Sequence, residues 1–206
     1  MLRRRDDPDG LVDELVVNGV FAMDSAEVTS ELILADSAGV AAGSPPGRVL
    51  VGGLGLGYTA ARLLANGAEL VRVVELAEPL VEWAMARLTP QLGQVASDSR
   101  AELVVNDVFS EIEGTDQLWD AILLDVDNGP SFLIHDENAR VYSESFLRTC
   151  LARLVPGGRL VIWCDQTSPD LEVTLRRLTP QVELILVPVT REGRSFDYAL
   201  YRAIPL

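Results

Sequence analysis

The sequence predicts a doubly wound, Rossmann-like α/β sheet whose last strand runs antiparallel to the others, preceded by a small β-hairpin. Three observations carry that expectation. Continuous apolar runs alternate with helix-patterned segments over residues 48–178, as strands buried on both faces of a parallel sheet require. The first of these runs ends in the glycine cluster "VGGLGLG", which opens into a helical pattern. The chain closes on two strand-like runs joined by a short polar loop, so the final strand returns as half of a hairpin.

Taken in order, "DELVVNGVFAMDS" (residues 13–25) reads as a hairpin turning at Asn18-Gly19. "EVTSELILADSA" then reads as a helix and "AGSPPG" as a linker. The expected division is a hairpin-and-helix appendage over residues 1–44 and a nucleotide-binding α/β domain over residues 45–206. In that domain "RVLVGG", "ELVRVVEL", "AELVVND", "WDAILLDV" and "GRLVIWC" are the expected strands. "GYTAARLLANG", "EPLVEWAMARL", "NARVYSESFLRTCLARL" and "SPDLEVTLRRL" are the expected helices, with "PGG" stopping the third. "QVELILVPV" and "FDYALYRAI" form the closing hairpin around "TREGRS".

A chain of 206 residues with 48% hydrophobic composition suits one compact unit with a sizeable core. It contains no run of about eighteen apolar residues, and "MLRRRDDPDG" turns acidic at once, so a cytoplasmic protein without membrane contact is expected. The formal charge of -14 argues against nucleic acid, whose backbone is held by lysine and arginine. An acidic field instead concentrates cationic small molecules. Cys150 and Cys164 lie in apolar runs without CxxC spacing and read as buried free thiols. The single histidine, His135, has no ligand partners nearby in sequence, so neither a metal nor a histidine-based triad is expected.

The candidate site gathers at strand ends, because ligands of open α/β sheets bind outside the carboxyl ends of the strands. Gly53, Gly55 and Gly57 form G-x-G-x-G at a strand-to-helix turn, which suits a tight turn or close approach by a ligand. A dinucleotide fingerprint would place its third glycine where Tyr58 stands, which weighs against NAD. Glu75 ends the next strand, placed to accept from ribose hydroxyls. Asp107 in "VVNDVF", beside the amide of Val108, could accept from an adenine amino group or cap the helix that follows. Asp125 and Asp127 in "LLDVDNGP" reach the same edge: Asp125 to orient an amine and take its proton, Asp127 to bind a second cationic centre or shape a lid. "DNGPSFLIHDEN" reads as that lid or as an ordinary surface connection. Trp163 ends the fifth strand, where it could stack on an acceptor or pack in the core like Trp83 and Trp119.

"VLVGGLGLG", "VVELAEPLVEWA", "VVNDVF", "WDAILLDVDNGP" and "LVPGG" together resemble the class I S-adenosylmethionine-dependent methyltransferase fold, and within it the spermidine synthase-like group. The resemblance covers nearly the whole chain, since "LVVNGVFAMDS" is similar to the small β domain that precedes the nucleotide domain in spermidine synthases. It implies S-adenosylmethionine or its decarboxylated form as co-substrate, with Gly53 to Gly57 around the methionine-derived portion, Glu75 at the ribose, Asp107 and Val108 at the adenine, and Asp125 as the catalytic acid-base. Gln166, after "WCD", resembles a substrate-side glutamine of spermidine synthases, and the resemblance implies a homodimer. Three places depart from the family pattern. "GGLGLG" stands for "GGGDGG", which puts Gly55 where an aspartate meets the aminopropyl amine; "DVDN" stands for "DSSDP"; and the family's hairpin glutamine falls near Ala22, in a hairpin that here has no glutamine. The expected function is alkylation of a small, amine-bearing acceptor by a sulfonium nucleoside. A small-molecule methyltransferase and a noncatalytic nucleoside-binding protein remain the alternatives.

Overall fold

A computed structural model describes residues 1–8, 10–17, 19–39, 44–126, 129–130, 136–191 (backbone only at 136 and 137) and 193–205. Strands β1 (Leu2–Asp7), β2 (Gly10–Val17) and β3 (Val20–Asp24) form a three-stranded antiparallel sheet in that order. The expected hairpin is the β2–β3 pair, with Val17 opposite Val20 and Gly19 at φ +80°; Asn18 lies outside the described residues. Strand β1 was not expected. Its sequence, "LRRRDD", has no apolar alternation, because it is held through cross-strand charge: Arg3 pairs with Glu14, and Arg4 with Asp13 at 2.7 Å.

Helix α1 (Thr29–Asp36) leads into the second sheet. Its elements follow as β4 (Arg48–Gly52), α2 (Tyr58–Ala65), β5 (Leu70–Glu75), α3 (Glu78–Met85), α4 (Pro90–Ser97), β6 (Ala101–Val105), α5 (Val108–Glu113) and β7 (Trp119–Leu124). After a 3-10 turn at Asp136–Tyr142 come α6 (Glu144–Ala152), β8 (Leu154–Cys164), α7 (Pro169–Leu178), β9 (Gln181–Arg191) and β10 (Arg194–Ile204). The seven strands lie in the order β6-β5-β4-β7-β8-β10-β9, with β10 antiparallel to both neighbours, as the closing hairpin requires. The "PGG" stop is corrected. Helix α6 ends at Ala152, and Pro156 to Gly158 lie inside β8, where the pairing with β7 jumps from Trp119–Leu154 to Ala121–Arg159.

Because successive strand residues face opposite sides, the sheet splits its core in two. Val49, Val51, Val71, Val73 and Leu123 pack with α1 to α4, whereas Leu50, Val74, Ile122, Leu124 and Ile162 pack with α5 to α7. Cys150 and Cys164 are buried free thiols in the second core, and burial pushes the Cys164 thiol up to about 12. The chain leaves β4 toward β5 and β6 and returns on its other side at β7, so a crevice opens outside the carboxyl ends of β4 and β7. Among the described residues no helix is long and apolar enough to cross a membrane.

Candidate active site

The turn after β4 uses its glycines for different purposes. Gly53 takes φ +96°, and a Cβ there would lie 2.1 Å from the backbone carbonyl oxygen of Asp125, so the end of β7 leaves no room for a side chain. At Gly55, with φ +50°, a Cβ would lie 2.8 Å from the Met23 sulfur, which accepts from the Leu56 amide at 3.3 Å. The tip of the turn is therefore roofed by the three-stranded sheet. Gly57 faces away, toward Leu92 and Val95 of α4, and does not line the cavity.

Glu75 braces this turn: one carboxylate oxygen accepts from the Leu54 amide and the other from the Ala77 amide, both at 2.8 Å. Each oxygen keeps a second lone pair for a ligand hydroxyl. Asp107 caps α5 by accepting from the Phe109 amide at 2.9 Å, and its second oxygen pairs with Arg140, whose guanidinium carbon lies 4.8 Å from the Phe109 ring centre. The capping alternative for Asp107 is thus realised, at a residue that also lines the cavity.

A cavity of about 350 Å³ lies over these strand ends, within the range of small-molecule sites. Of the residues singled out in the sequence, Gly53, Gly55, Glu75, Asp107, Val108, Asp125 and Trp163 line it. Gln166 does not; it is exposed on the turn after β8. Asp127 and His135 lie outside the described residues, as does most of the expected lid, although Asn138 at its end lines the cavity. Trp119 is fully buried and Trp163 half-buried, so the two tryptophans differ in role.

On the opposite wall, sequence reasoning had reached only Ala22 and missed the rest. Leu15, Val17, Ala22 and Met23 of the three-stranded sheet and Glu31 of α1 close the cavity from the amino-terminal side. Asp125 has no hydrogen-bond donor among the described residues, and the protein around it pushes its carboxyl up to about 7, chiefly by burial, then by the nearby charges of Glu31 and Glu75. Glu31 is itself raised above the ordinary carboxylate range by burial, although the Ser30 hydroxyl donates to it at 2.7 Å. Among the described residues no three histidine, cysteine or acidic side chains converge to hold a metal ion. Among the described residues the lining contains carboxylates and no lysine or arginine, which suits a cationic ligand.

No family model matches the chain. In sequence it is 31% identical over 159 residues to polyamine aminopropyltransferase 2 of Hyperthermus butylicus, a match that spans 74% of this chain and 50% of that protein. The chain thus spans about half the length of this curated relative. In structure it resembles spermidine synthase from Thermotoga maritima, with a TM-score of 0.74 at 19% identity over 98% of this chain and 68% of that one. It also resembles human methyltransferase-like protein 13, solved in complex with SAH, with a TM-score of 0.62 at 18% identity over 87% of this chain and 82% of that one. The chain is a homologue of the polyamine aminopropyltransferases, the spermidine synthase family, built on a class I methyltransferase-like α/β sheet.

Proposed function

We propose that the chain is a group transferase that moves an aminopropyl group from decarboxylated S-adenosylmethionine to a small amine. The observation that carries this reading is Asp125, a carboxylate on the cavity wall with no hydrogen-bond donor among the described residues and a proton affinity pushed up to about 7. A base with a pKa close to the working pH is suited to take a proton from an attacking amine. The nucleoside would lie along the ends of β4, β5 and β6, its ribose at Glu75 and its adenine by Asp107 and Val108, with Gly53 and Gly55 leaving space for the sulfonium portion.

A sulfonium is already an activated leaving group, so the chain needs chiefly to align the partners and accept a proton. The amine nitrogen attacks the carbon bonded to sulfur. The N–C bond forms as the C–S bond breaks, the electron pair leaves on sulfur to give a neutral thioether, and a proton passes from nitrogen to Asp125. The carboxylates of the lining disfavour the extra carboxylate of intact S-adenosylmethionine, which supports the decarboxylated donor. Residues 1–44 act as the appendage that closes the site and residues 45–206 as the nucleoside-binding unit, with Asp127 and Trp163 on the acceptor side.

The test is to incubate the purified chain with each donor and a panel of amines. Release of methylthioadenosine from the decarboxylated donor, with an amine lengthened by an aminopropyl unit, is expected. Formation of S-adenosylhomocysteine from S-adenosylmethionine would instead make it a methyltransferase.

A further inference from the structure

The chain has three methionines, and two of them are plain surface groups: Met1 is 68% and Met85 64% exposed. Met23 is held differently. It packs half-buried against the first core, lines the cavity, and sets its sulfur on the glycine turn. The sulfur accepts from the Leu56 amide at 3.3 Å and stands 2.8 Å from where a Cβ on Gly55 would lie. A thioether sulfur has two lone pairs, one on each face, and an oxidant adds oxygen at either face when the side chain turns freely. At Met23 one lone pair is taken up by the Leu56 N–H, so a single face is left for attack.

We propose that Met23 is a site of oxidative modification, converted by a hydroperoxide to one epimer of its sulfoxide, and that this modification shuts the nucleoside out of the cavity. The free lone pair of sulfur attacks one peroxide oxygen, and the S–O bond forms as the O–O bond breaks. The hydroxyl proton passes to the leaving hydroxide, which departs as water; sulfur is oxidised by two electrons and the peroxide is reduced by two. The oxidised side chain is polar and larger by one oxygen. It stands over Gly53 and Gly55, where the sulfur end of the nucleoside lies in the transfer reading above. Oxidation and nucleoside binding therefore exclude each other. That exclusion rests on the transfer reading, whereas the single epimer rests only on the contact between Met23 and Leu56.

The test is to treat the folded chain with hydrogen peroxide, digest it, and expose the peptides separately to the two methionine sulfoxide reductases, each of which reduces one epimer, with mass spectrometry as the readout. At Met23 one reductase is expected to remove at least about four-fifths of the sulfoxide and the other little, while at Met85 each removes about half. Chain oxidised in urea should lose the bias at Met23. Equal removal by both enzymes after oxidation of the folded chain, or an unoxidised Met23 where Met85 is fully converted, would overturn the site. Saturating methylthioadenosine should slow oxidation of Met23 at least about threefold and leave Met85 unaffected, and calorimetry should find methylthioadenosine bound at least about tenfold more weakly after oxidation. In Met23→Leu the same peroxide treatment should leave the affinity where it stood before treatment. Absence of protection, an unchanged affinity in the oxidised wild type, or a further fall in Met23→Leu would overturn the exclusion. If the untreated wild type binds no methylthioadenosine, the transfer reading fails, and the epimer ratio still decides the oxidation site by itself.

Discussion

Asp125 makes opposite demands on stability and on catalysis. In the folded chain its carboxyl keeps a proton up to about pH 7, whereas an unfolded aspartate releases it near about 4. Between those values the native state binds the extra proton, so its contribution to stability is fully present below the unfolded pKa and is lost as pH rises through the folded one. The penalty above pH 7 is on the order of 2–4 kcal/mol. Asp125→Asn should therefore raise the urea midpoint at pH 8 and change it little at pH 4, while lowering turnover at least about a hundredfold. Urea titrations at the two pH values check the first half; an unchanged midpoint at pH 8 would mean that water reaches the carboxylate freely. In the wild type, kcat/KM should fall on the acid side of about pH 7 as Asp125 takes up its proton. Glu75 calls for a gentler substitution than alanine, because it holds two amides of the chain as well as facing the ligand. Glu75→Gln keeps one acceptor oxygen and should weaken methylthioadenosine binding by about 1.5–3 kcal/mol. Calorimetry reads that directly, and an unchanged affinity would remove Glu75 from the ribose assignment.

At the scale of elements, the site depends on two strands meeting tightly. Gly52 of β4 pairs with Leu124 of β7, and the next residue in each strand brings the Gly53 Cα against the Asp125 carbonyl. A Gly53→Ala chain must either part the strands or strain the turn, and a loss of at least about 2 kcal/mol is expected, with methylthioadenosine binding lost. Thermal unfolding with and without ligand checks this, and a wild-type melting temperature would mean that the turn adjusts without disturbing β7. The same elements explain what the sequence could and could not reveal. Central strands announce themselves through continuous Val, Leu and Ile, and the acids at their ends are found by following the strands to their carboxyl edge. Strand β1 gives no such signal, since charge pairs and not burial hold "LRRRDD". Helix α4 was missed as well, being eight residues long with a glycine inside. Glu31 was beyond the sequence for a third reason: nothing in "TSELILAD" distinguishes it from a solvated acid until the three-stranded sheet closes over the same cavity. Gln166 is the opposite case: it matches in local sequence but is exposed on the turn after β8, and local sequence alone does not fix where such a side chain points.

Across the whole molecule, one wall of the cavity is built from the large sheet and the other from the small one, so binding and transfer should separate on truncation. The small sheet is fastened by Leu15 in the core and by Arg191, which lies 3.6 Å from Asp24 and 4.8 Å from the Phe21 ring centre. Leu2, Val17, Ala22 and Met23 pack half-buried against the same core, and the two cores that hold β4 to β10 and their helices are otherwise formed by residues after Glu27. A chain beginning at Glu27 should therefore still fold, at lower stability, with Glu75, Asp107, Val108 and Asp125 on their strand ends. It would lose Met23 over Gly55 and the apolar cover of Leu15 and Val17, admitting water to the carboxylates. Water raises the local dielectric and weakens charge interactions with the acceptor several-fold. It also relaxes the upward push on Asp125, which comes first from burial. Methylthioadenosine affinity is expected to fall by no more than about tenfold, while amine transfer falls at least about a hundredfold, because alignment and exclusion of water depend on the missing wall. Calorimetry and methylthioadenosine release on the same preparation measure both. Equal losses would mean that the small sheet supports the fold as a whole, and retained transfer would mean that the acceptor enters from another side.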